Sequence, residues 1–312
     1  MNKQEWPKLD FDQLKDTLNT VHLWTQIVGK IRLRKTPWLN HSWHVTLYIS
    51  ANGLTTGSIP YPGGIFQIDF DFLKHELQIH CSNGGGRSIK LASGTVSAFY
   101  ADVMDALKAV GVHAPIYASP NEMEEAVPFA DDHADRVYDP AQMGLLWQAM
   151  IRIHNVMLRF RAGFTGKVSP VHFFWGAFDL AVTRFSGREA PKHPGGAPNM
   201  PADVMQEAYS HEVSSAGFWP GSAAFPHPAF YAYCYPTPGD FKSQKIAPAS
   251  AFYSEEMGEF LLKYEDVQQS SDPEEALLSF LQTTYEAAAN TGKWDRESLE
   301  TDLTSFEKET GD

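Results

Sequence analysis

The segments Phe66-Gln-Ile-Asp-Phe-Asp-Phe72 and Leu77-Gln-Ile-His-Cys81 each alternate apolar and polar residues with a period of two. This period is that of a β-strand with one buried face and one solvated face. The few residues between the two segments predict that they pair as antiparallel neighbours, and Asn83-Gly-Gly-Gly86 predicts the next tight turn. Residues 43–50 alternate in the same way before them, with His44 on the polar face. We therefore predict an antiparallel sheet that exposes one face to water.

Helices are predicted on both sides of this sheet. Apolar residues recur at spacings of three and four over residues 11–34, which is the pattern of an amphipathic helix. A second helix is predicted over residues 95–109, with Gly111 as the residue that ends it. Aspartates with capping chemistry mark three helix starts along the chain: Asp10, Asp139 and Asp272.

The second half of the chain repeats this order of elements. Helices are predicted over residues 140–162 and 273–289, and strands over residues 209–216, 230–235, 251–253 and 259–264. Short similarities, such as Val28-Gly-Lys-Ile31 with Thr165-Gly-Lys-Val168, indicate an internal duplication; two unrelated α+β halves are the alternative. The predicted fold class is α+β: two related halves, each an antiparallel β-sheet flanked by helices, packed as one compact body.

The predicted boundaries follow the composition. Residues 1–112 form the first half and residues 139–292 the second half. Residues 113–138 are rich in Pro and acidic residues, which predicts an extended connector over the surface. Residues 293–312 are predicted to be an acidic C-terminal tail. Residues 186–201 hold four Pro and three Gly, which predicts a long loop of the kind that often covers a site.

The composition excludes several classes of partner. The net charge is −13, but residues 255–312 hold 16 acidic and 4 basic residues; of the 38 and 25 in total, 22 acidic and 21 basic residues remain for the rest of the chain. Nucleic acids and anionic membranes are bound by clustered Lys and Arg, so neither is expected as a partner. No run approaches the roughly 18–20 apolar residues of a membrane span, and the first residues lack the apolar core of an export signal, so we expect a cytoplasmic protein. The two cysteines, Cys81 and Cys234, are too few for a disulfide framework.

The segment Val171-His-Phe-Phe-Trp-Gly-Ala-Phe-Asp-Leu-Ala-Val-Thr-Arg-Phe185 has apolar residues on both parities, which predicts a strand buried on both faces. It contains Asp179, and an unpaired carboxylate in such surroundings costs several kcal/mol. Asp179 must therefore be neutral, or be held by a cation or by hydrogen-bond donors. Arg184 is a nearby candidate for the cation. It faces the opposite side of the strand from Asp179, so their pairing needs a bulge near Gly176; otherwise the partner comes from another strand.

These residues form a candidate catalytic site together with a second histidine. His172, Asp179 and His211 are the predicted acid–base residues, because a histidine near a buried acid can transfer protons near neutral pH. His211 and Glu212 face opposite sides of their strand, so only one of them can serve a given site. The alternation of Tyr231, Tyr233 and Tyr235 predicts one wall of a cavity for an aromatic or planar ligand. The predicted ligand contacts are Arg184, Glu212, Trp175, Tyr231 and Tyr233.

Several functions remain open at this stage. The first is a small-molecule pocket in the second half, either as a binding site alone or as the active site of an enzyme. The structural alternative for the same residues is a buried ion pair and a packed histidine. A noncatalytic interaction protein would instead expose a patch that contains Phe218 and Trp219, in a turn over residues 217–221. A third function is a metal site with His172 and His211, but no ligand spacing is diagnostic of a metal, and neither a cofactor nor an oligomeric state is predicted.

Long strings of the chain resemble one family. They are Asn40-His-Ser-Trp-His-Val-Thr-Leu-Tyr-Ile-Ser50, residues 66–72, residues 166–188, Ala208-Tyr-Ser-His-Glu-Val-Ser-Ser-Ala-Gly-Phe-Trp-Pro-Gly221 and residues 284–289. The chain resembles a group of mainly bacterial proteins of about 300 residues that is known as a domain of unknown function. The resemblance covers nearly the full chain and implies a single unit rather than a fusion. It implies no activity, cofactor or catalytic residue.

Overall fold

The computed structural model describes residues 5–303, so the end of the predicted acidic tail lies outside the described residues. The helices of the described chain are α1 (Phe11–Lys35), α2 (Val96–Ala109), α3 (Pro140–Ala162), α4 (Ala202–Ala208), α5 (Tyr264–Gln268), α6 (Pro273–Thr291) and α7 (Arg296–Leu299). Single-turn helices lie at Asn40–Ser42, Phe129–Asp131 and Phe241–Ser243. Within residues 5–303 no helix is both long enough and apolar enough to cross a membrane.

The first sheet is the predicted antiparallel meander. Its strands are β1 (Tyr48–Ile49), β2 (Gly53–Thr55), β3 (Ile59–Tyr61), β4 (Gly64–Asp71), β5 (Glu76–Cys81) and β6 (Gly86–Lys90). They lie in the order β1-β2-β4-β5-β6, with β3 paired to β4, and every pairing is antiparallel. The strand predicted over residues 43–50 is wrong over most of its length, because only Tyr48–Ile49 (β1) form a strand there. His44 is buried rather than solvated, and its Nδ1 accepts a hydrogen bond from the backbone of Leu39 at 3.2 Å.

The second sheet also has six antiparallel strands. They are β7 (His172–Phe174), β8 (Asp179–Glu189), β9 (His211–Trp219), β10 (Ala229–Tyr235), β11 (Phe252–Ser254) and β12 (Glu259–Lys263), in the spatial order β11-β12-β10-β9-β8-β7. A bridge between Leu47 and Phe173 joins the two sheets. The predicted turn over residues 217–221 is wrong at its start, because β9 continues through Gly217 to Trp219.

The helix starts are as predicted. The Asp139 side chain accepts hydrogen bonds from the backbone of Ala141 at 2.8 Å and Gln142 at 3.3 Å, which satisfies donors that the first turn leaves free. Asp10 and Asp272 cap α1 and α6 in the same way. The α1 and α2 helices flank the first sheet, and α3 and α6 flank the second.

Each half therefore runs helix, antiparallel sheet, helix, and the two halves share one hydrophobic core. This confirms the predicted α+β class with two sheets in one compact body. The origin of the halves by duplication remains a prediction.

The connector between the halves differs from its prediction. Residues 113–138 contain no regular element apart from the turn Phe129–Asp131. The segment is not confined to the surface, however, because Ala114, Phe129 and Tyr138 are buried. Buried connector residues fix its path, and this path brings Asn121 and Glu122 to the site described below.

The predicted single strand over residues 171–185 is a hairpin. β7 and β8 pair with Phe174 opposite Asp179, and the turn Trp175-Gly-Ala-Phe178 connects them. Phe178 adopts the left-handed conformation, with a φ of 59°, and is buried. Apolar residues occur at both odd and even positions because both strands, and Trp175 and Phe178 of the turn, are covered by protein.

An aromatic cavity with a buried carboxyl group

Strand alternation in β8 separates two environments. The side chains of Asp179, Ala181 and Thr183 line a cavity of about 1090 Å³. The intervening residues Leu180 and Val182 are buried on the other side of the sheet, which α3 and α6 cover. The period of two therefore carries Asp179 to the cavity face of the second sheet.

The cavity has a sheet floor and walls from three loops. β9 and β10 continue the floor with Ser215, Tyr231 and Tyr233. The walls come from residues 38–45, from the connector around residues 117–122, and from residues 197–208, which include α4. The loop predicted over residues 186–201 thus begins as the end of β8 and then covers the cavity before α4. Four of the eight tryptophans of the chain line it: Trp38, Trp43, Trp175 and Trp219.

Asp179 is the central polar group of the cavity floor. Its side chain is only 7% exposed, and the hydroxyl of Tyr231 donates a hydrogen bond to its Oδ2. No other side chain of residues 5–303 donates to this carboxyl group. Burial raises the pKa of Asp179 to about 7, although the Tyr231 hydrogen bond acts in the opposite direction. Of the predicted alternatives for Asp179, the structure shows a hydrogen-bond donor from another strand, Tyr231 of β10.

Two further carboxyl groups line the same cavity. Glu259, at the start of β12, has a pKa raised to about 7 by burial and by the nearby charge of Asp179. Burial also raises the pKa of Glu122, whose charge acts on Asp179 in turn. The Glu122 carboxyl lies against Gly176, where a Cβ atom would overlap it, so glycine makes this approach feasible. We call Glu122, Asp179 and Glu259 the carboxyl cluster.

Three tyrosines lie beside the carboxyl cluster, on the cavity lining: Tyr209, Tyr231 and Tyr233. The hydroxyls of Tyr209 and Tyr233 are hydrogen bonded at 2.7 Å, and the Tyr231 and Tyr233 rings stack with centroids 6.0 Å apart. Burial, together with the negative charge of Asp179, raises the pKa of Tyr231 well above its ordinary value. These tyrosines therefore act as neutral hydrogen-bond donors at neutral pH. Tyr231 and Tyr233 line the cavity, whereas Tyr235, the third tyrosine of the predicted wall, does not.

A buried lysine also lines the cavity. Lys30 of α1 is only 3% exposed, and its Nζ donates a hydrogen bond to Asn121. The same Nζ lies 5.6 Å from the ring centroids of Tyr117 and Trp175. Burial lowers the Lys30 pKa to about 8. The predicted contact residue Trp175 also lines the cavity, and its Nε1 donates to the Val45 carbonyl at 2.8 Å.

Arg184 and Glu212 lie outside the cavity. The Arg184 guanidinium lies 3.6 Å from the ring centroid of Phe160 and 4.3 Å from that of Tyr285, on the helix side of the sheet. Glu212 forms an ion pair with Arg188 at 2.6 Å, also away from the lining residues. The structure thus does not bring Arg184 to Asp179, because opposite parity sends their side chains to opposite faces.

His172 is a packed histidine rather than a lining residue. It is 1% exposed, lies edge-on to Trp43 and Tyr48, and neither ring nitrogen has a hydrogen-bond partner in the described chain. Burial, together with the charges of Arg32 and Arg161, lowers the pKa of His172 to about 3. The ring is therefore neutral at physiological pH and is separated from the ligand space.

We expect His172→Phe to stabilise the protein by about 1 kcal/mol at pH 7, because it replaces a buried ring with unpaired nitrogens by an apolar ring of similar shape. Chemical unfolding measures this difference. His80→Phe, at an exposed position of β5, is the control and should change stability by less than about 0.5 kcal/mol. A large loss of stability in His172→Phe would mean that the imidazole nitrogens have partners in solution.

His211 lies on the cavity side of β9 but at the far end of the strand. Its ring centroid is 5.9 Å from that of His41, which lines the cavity. The backbone N–H of His41 donates to Glu207 of α4 at 2.8 Å. The alternation of side chains predicts the face on which His211 lies, but not its distance from Asp179 on the neighbouring strand. No group of three or more His, Cys, Asp or Glu residues within residues 5–303 is placed to hold a metal ion.

The exposed patch expected for an interaction protein is not formed at the predicted position. Phe218 is only 1% exposed and packs on Phe230 and Tyr264. Its neighbour Trp219 has opposite parity and lines the cavity.

The fold and the site together define the class: an α+β protein in which an antiparallel sheet forms the floor of an aromatic cavity with a buried carboxyl cluster. The chain belongs to the family of unknown function DUF5996, whose model matches residues 6–301. This confirms the predicted resemblance over nearly the full chain, whereas a bacterial origin remains a prediction. No curated protein and no solved structure matches the chain.

Proposed function

We propose that this protein is a cytoplasmic small-molecule-binding protein and that the aromatic cavity is its binding site. The observation that carries the proposal is a cavity of about 1090 Å³ with the carboxyl cluster in its lining. Ligand sites are typically concave spaces of about 300–1,000 Å³ with apolar walls and a few convergent polar groups.

The construction of the walls supports this proposal. Asn199 donates a hydrogen bond to the Met123 carbonyl at 2.6 Å, and Glu122 donates through its backbone to the Pro198 carbonyl at 2.8 Å. The covering loop is thus tied to the connector rather than packed into the space below. A structural core would fill this space, because protein interiors are packed to the density of organic crystals.

Acid–base catalysis in the cavity is the second candidate function. It is favoured by the pKa of about 7 for Asp179, because a general acid or base works best when its pKa lies near the working pH. In this case Asp179 exchanges the proton, and Tyr231 orients its carboxyl group and stabilises the charged form. His172 and Arg184 have no part in this version, because neither lines the cavity.

We expect Ala177→Trp to abolish small-molecule binding, because Ala177 is an exposed lining residue and an indole in its place would occupy the ligand space. A library of acidic, neutral and basic fragments is screened against the full chain by saturation-transfer NMR, and each hit is repeated on the variant. Intrinsic fluorescence gives a second readout, since half of the tryptophans line the cavity.

The matched control is Ala101→Trp, at an exposed position of α2 that lies outside the cavity lining. This variant should keep every hit with unchanged affinity. Fragments that bind equally to wild type and Ala177→Trp would place the binding site elsewhere, and a screen without any hit would reject the proposal.

A further inference from the structure

We propose that the ligand of the cavity is an organic cation, an amine or quaternary ammonium group on an apolar body, which seats its charge at the carboxyl cluster. This inference rests on the proposed small-molecule site and specifies the chemistry of its ligand.

The first argument is that the carboxyl cluster has no cation from the protein. No ion pair within residues 5–303 involves Glu122, Asp179 or Glu259. Asp179 is more than nine-tenths buried and faces the cavity, and among the described residues its carboxyl group is hydrogen bonded by the Tyr231 hydroxyl and by its own backbone but by no cation. Buried carboxylates are ordinarily paired, because their desolvation is costly. A bound cation would supply the missing partner.

The second argument is the balance of charge around the cavity. Five carboxylic residues line it: Glu122, Asp179, Asp203, Glu207 and Glu259. Among residues 5–303, Lys30 is the single Lys or Arg of the lining, and it already contacts Asn121 and two aromatic rings. Lys167 lies outside the lining, where its Nζ is hydrogen bonded to His41 Nε2. Burial lowers the pKa of the lining histidines, His41 and His44, which keeps them neutral at physiological pH. The ligand space is therefore negative when its carboxyl groups ionise.

The third argument is the identity of the walls. Aromatic rings attract cations through their negative faces, and tryptophan is the strongest of them. Tyr231 and Trp219 line the cavity, and the Tyr231 hydroxyl donates to Asp179 of the carboxyl cluster. Trp175 and Trp43 also line it, with Lys30 Nζ 5.6 Å from the Trp175 ring centroid and Lys167 Nζ 5.4 Å from the Trp43 ring centroid. A cavity with aromatic walls and an acidic floor complements an ammonium group with an apolar body. A neutral ligand would leave the carboxyl cluster unpaired, and an anion would be repelled by it.

Binding of this ligand is linked to protons. The cation favours the ionised carboxyl groups, so their protons are released on binding at pH values below their pKa values in the free protein. Affinity is therefore expected to rise as the pH rises through about 7, where Asp179 and Glu259 ionise. A neutral ligand gains nothing from this ionisation.

The test uses the full chain and four probes: 2-phenylethylamine, benzyltrimethylammonium, the neutral 2-phenylethanol and the anion phenylacetate. Isothermal titration at pH 8 is expected to show that both cations bind at least about tenfold more tightly than the alcohol, with phenylacetate weakest. Asp179→Asn and Glu259→Gln should each weaken binding of the cations by about tenfold or more and leave the alcohol unchanged. Asp105→Asn, at an exposed position of α2 outside the cavity lining, is the matched control with a small effect.

Two results would overturn the inference, and they separate it from the proposed function. If 2-phenylethanol or phenylacetate binds as tightly as the cations, and Ala177→Trp blocks it, the cavity is a small-molecule site of another specificity. If no probe binds at millimolar concentration, the cation assignment fails, and the fragment screen alone then decides whether the cavity binds ligands.

Discussion

Asp179→Asn is expected to stabilise the protein more strongly in alkaline than in acidic solution. The folded protein retains the Asp179 proton up to a pH of about 7, whereas the unfolded chain releases it near 3.8. Between these values the folded state binds more protons, so the stability of the wild type falls as the pH rises. The charged carboxyl then costs on the order of 4 kcal/mol above pH 7, and Asn removes this cost. The gain in unfolding free energy should be about 3 kcal/mol larger at pH 8 than at pH 5.

Urea unfolding of both proteins at the two pH values measures this difference. Histidines such as His172, whose pKa is lowered to about 3, oppose the trend in each protein and cancel in the comparison. Tyr231→Phe is the informative companion, because it removes the donor that stabilises the carboxylate and should steepen the loss of stability with pH. An equal gain for Asp179→Asn at both pH values would show that Asp179 does not hold a proton in the folded state.

The alternation of side chains along a strand predicts which residues share a face with Asp179. Parity placed Asp179 opposite to Arg184, and the two side chains do lie on opposite faces of β8. Parity likewise placed Tyr231 and Tyr233 on one face, and both line the cavity. Residues on one strand are related by a fixed period, so their relative orientation is local information.

The sequence does not predict which residues from separate helices, strands and loops meet at the cavity. Lys30 reaches the cavity from α1, Glu122 from the connector and Glu259 from β12, and only packing brings them together. The sequence weakly indicates that Lys30 is buried, since it follows Leu23 and Ile27 at the spacing of a buried helix face. The sequence does not indicate that Glu122 lines a cavity, because a Pro-rich acidic segment is typical of a surface connector.

The hairpin over residues 172–189 shows why a turn was missed. Turns are recognised by polar residues, Gly and Pro, because most turns lie at the surface. Here Trp175 and Phe178 occupy the turn and are buried, so its composition is that of a strand. Because the turn is packed against the rest of the protein, it lacks the polar residues that usually mark a turn.

The burial of this turn depends on Gly29 of α1, which leads to the second prediction with a large effect. A Cβ atom at Gly29 would overlap the Trp175 ring. Gly29→Ala should therefore displace Trp175 and break its 2.8 Å hydrogen bond to Val45. We expect a net loss of about 2 kcal/mol in unfolding free energy. Overpacking of a core costs about 1–3 kcal/mol and a lost buried hydrogen bond about 1 kcal/mol more, whereas the helix preference of alanine over glycine offsets about 0.5–1 kcal/mol.

Gly144→Ala is the matched control for this variant. Gly144 lies inside α3, and a Cβ atom there would meet nothing within 4 Å, so alanine should stabilise the protein by about 0.5–1 kcal/mol through its helix preference. A double-mutant cycle isolates the contact itself: in a Trp175→Ala background, Gly29→Ala should lose most of its effect. Additive losses in the two single variants would mean that the Gly29 and Trp175 positions do not touch in solution. In that case α1 would not support the turn that carries Asp179 into the cavity.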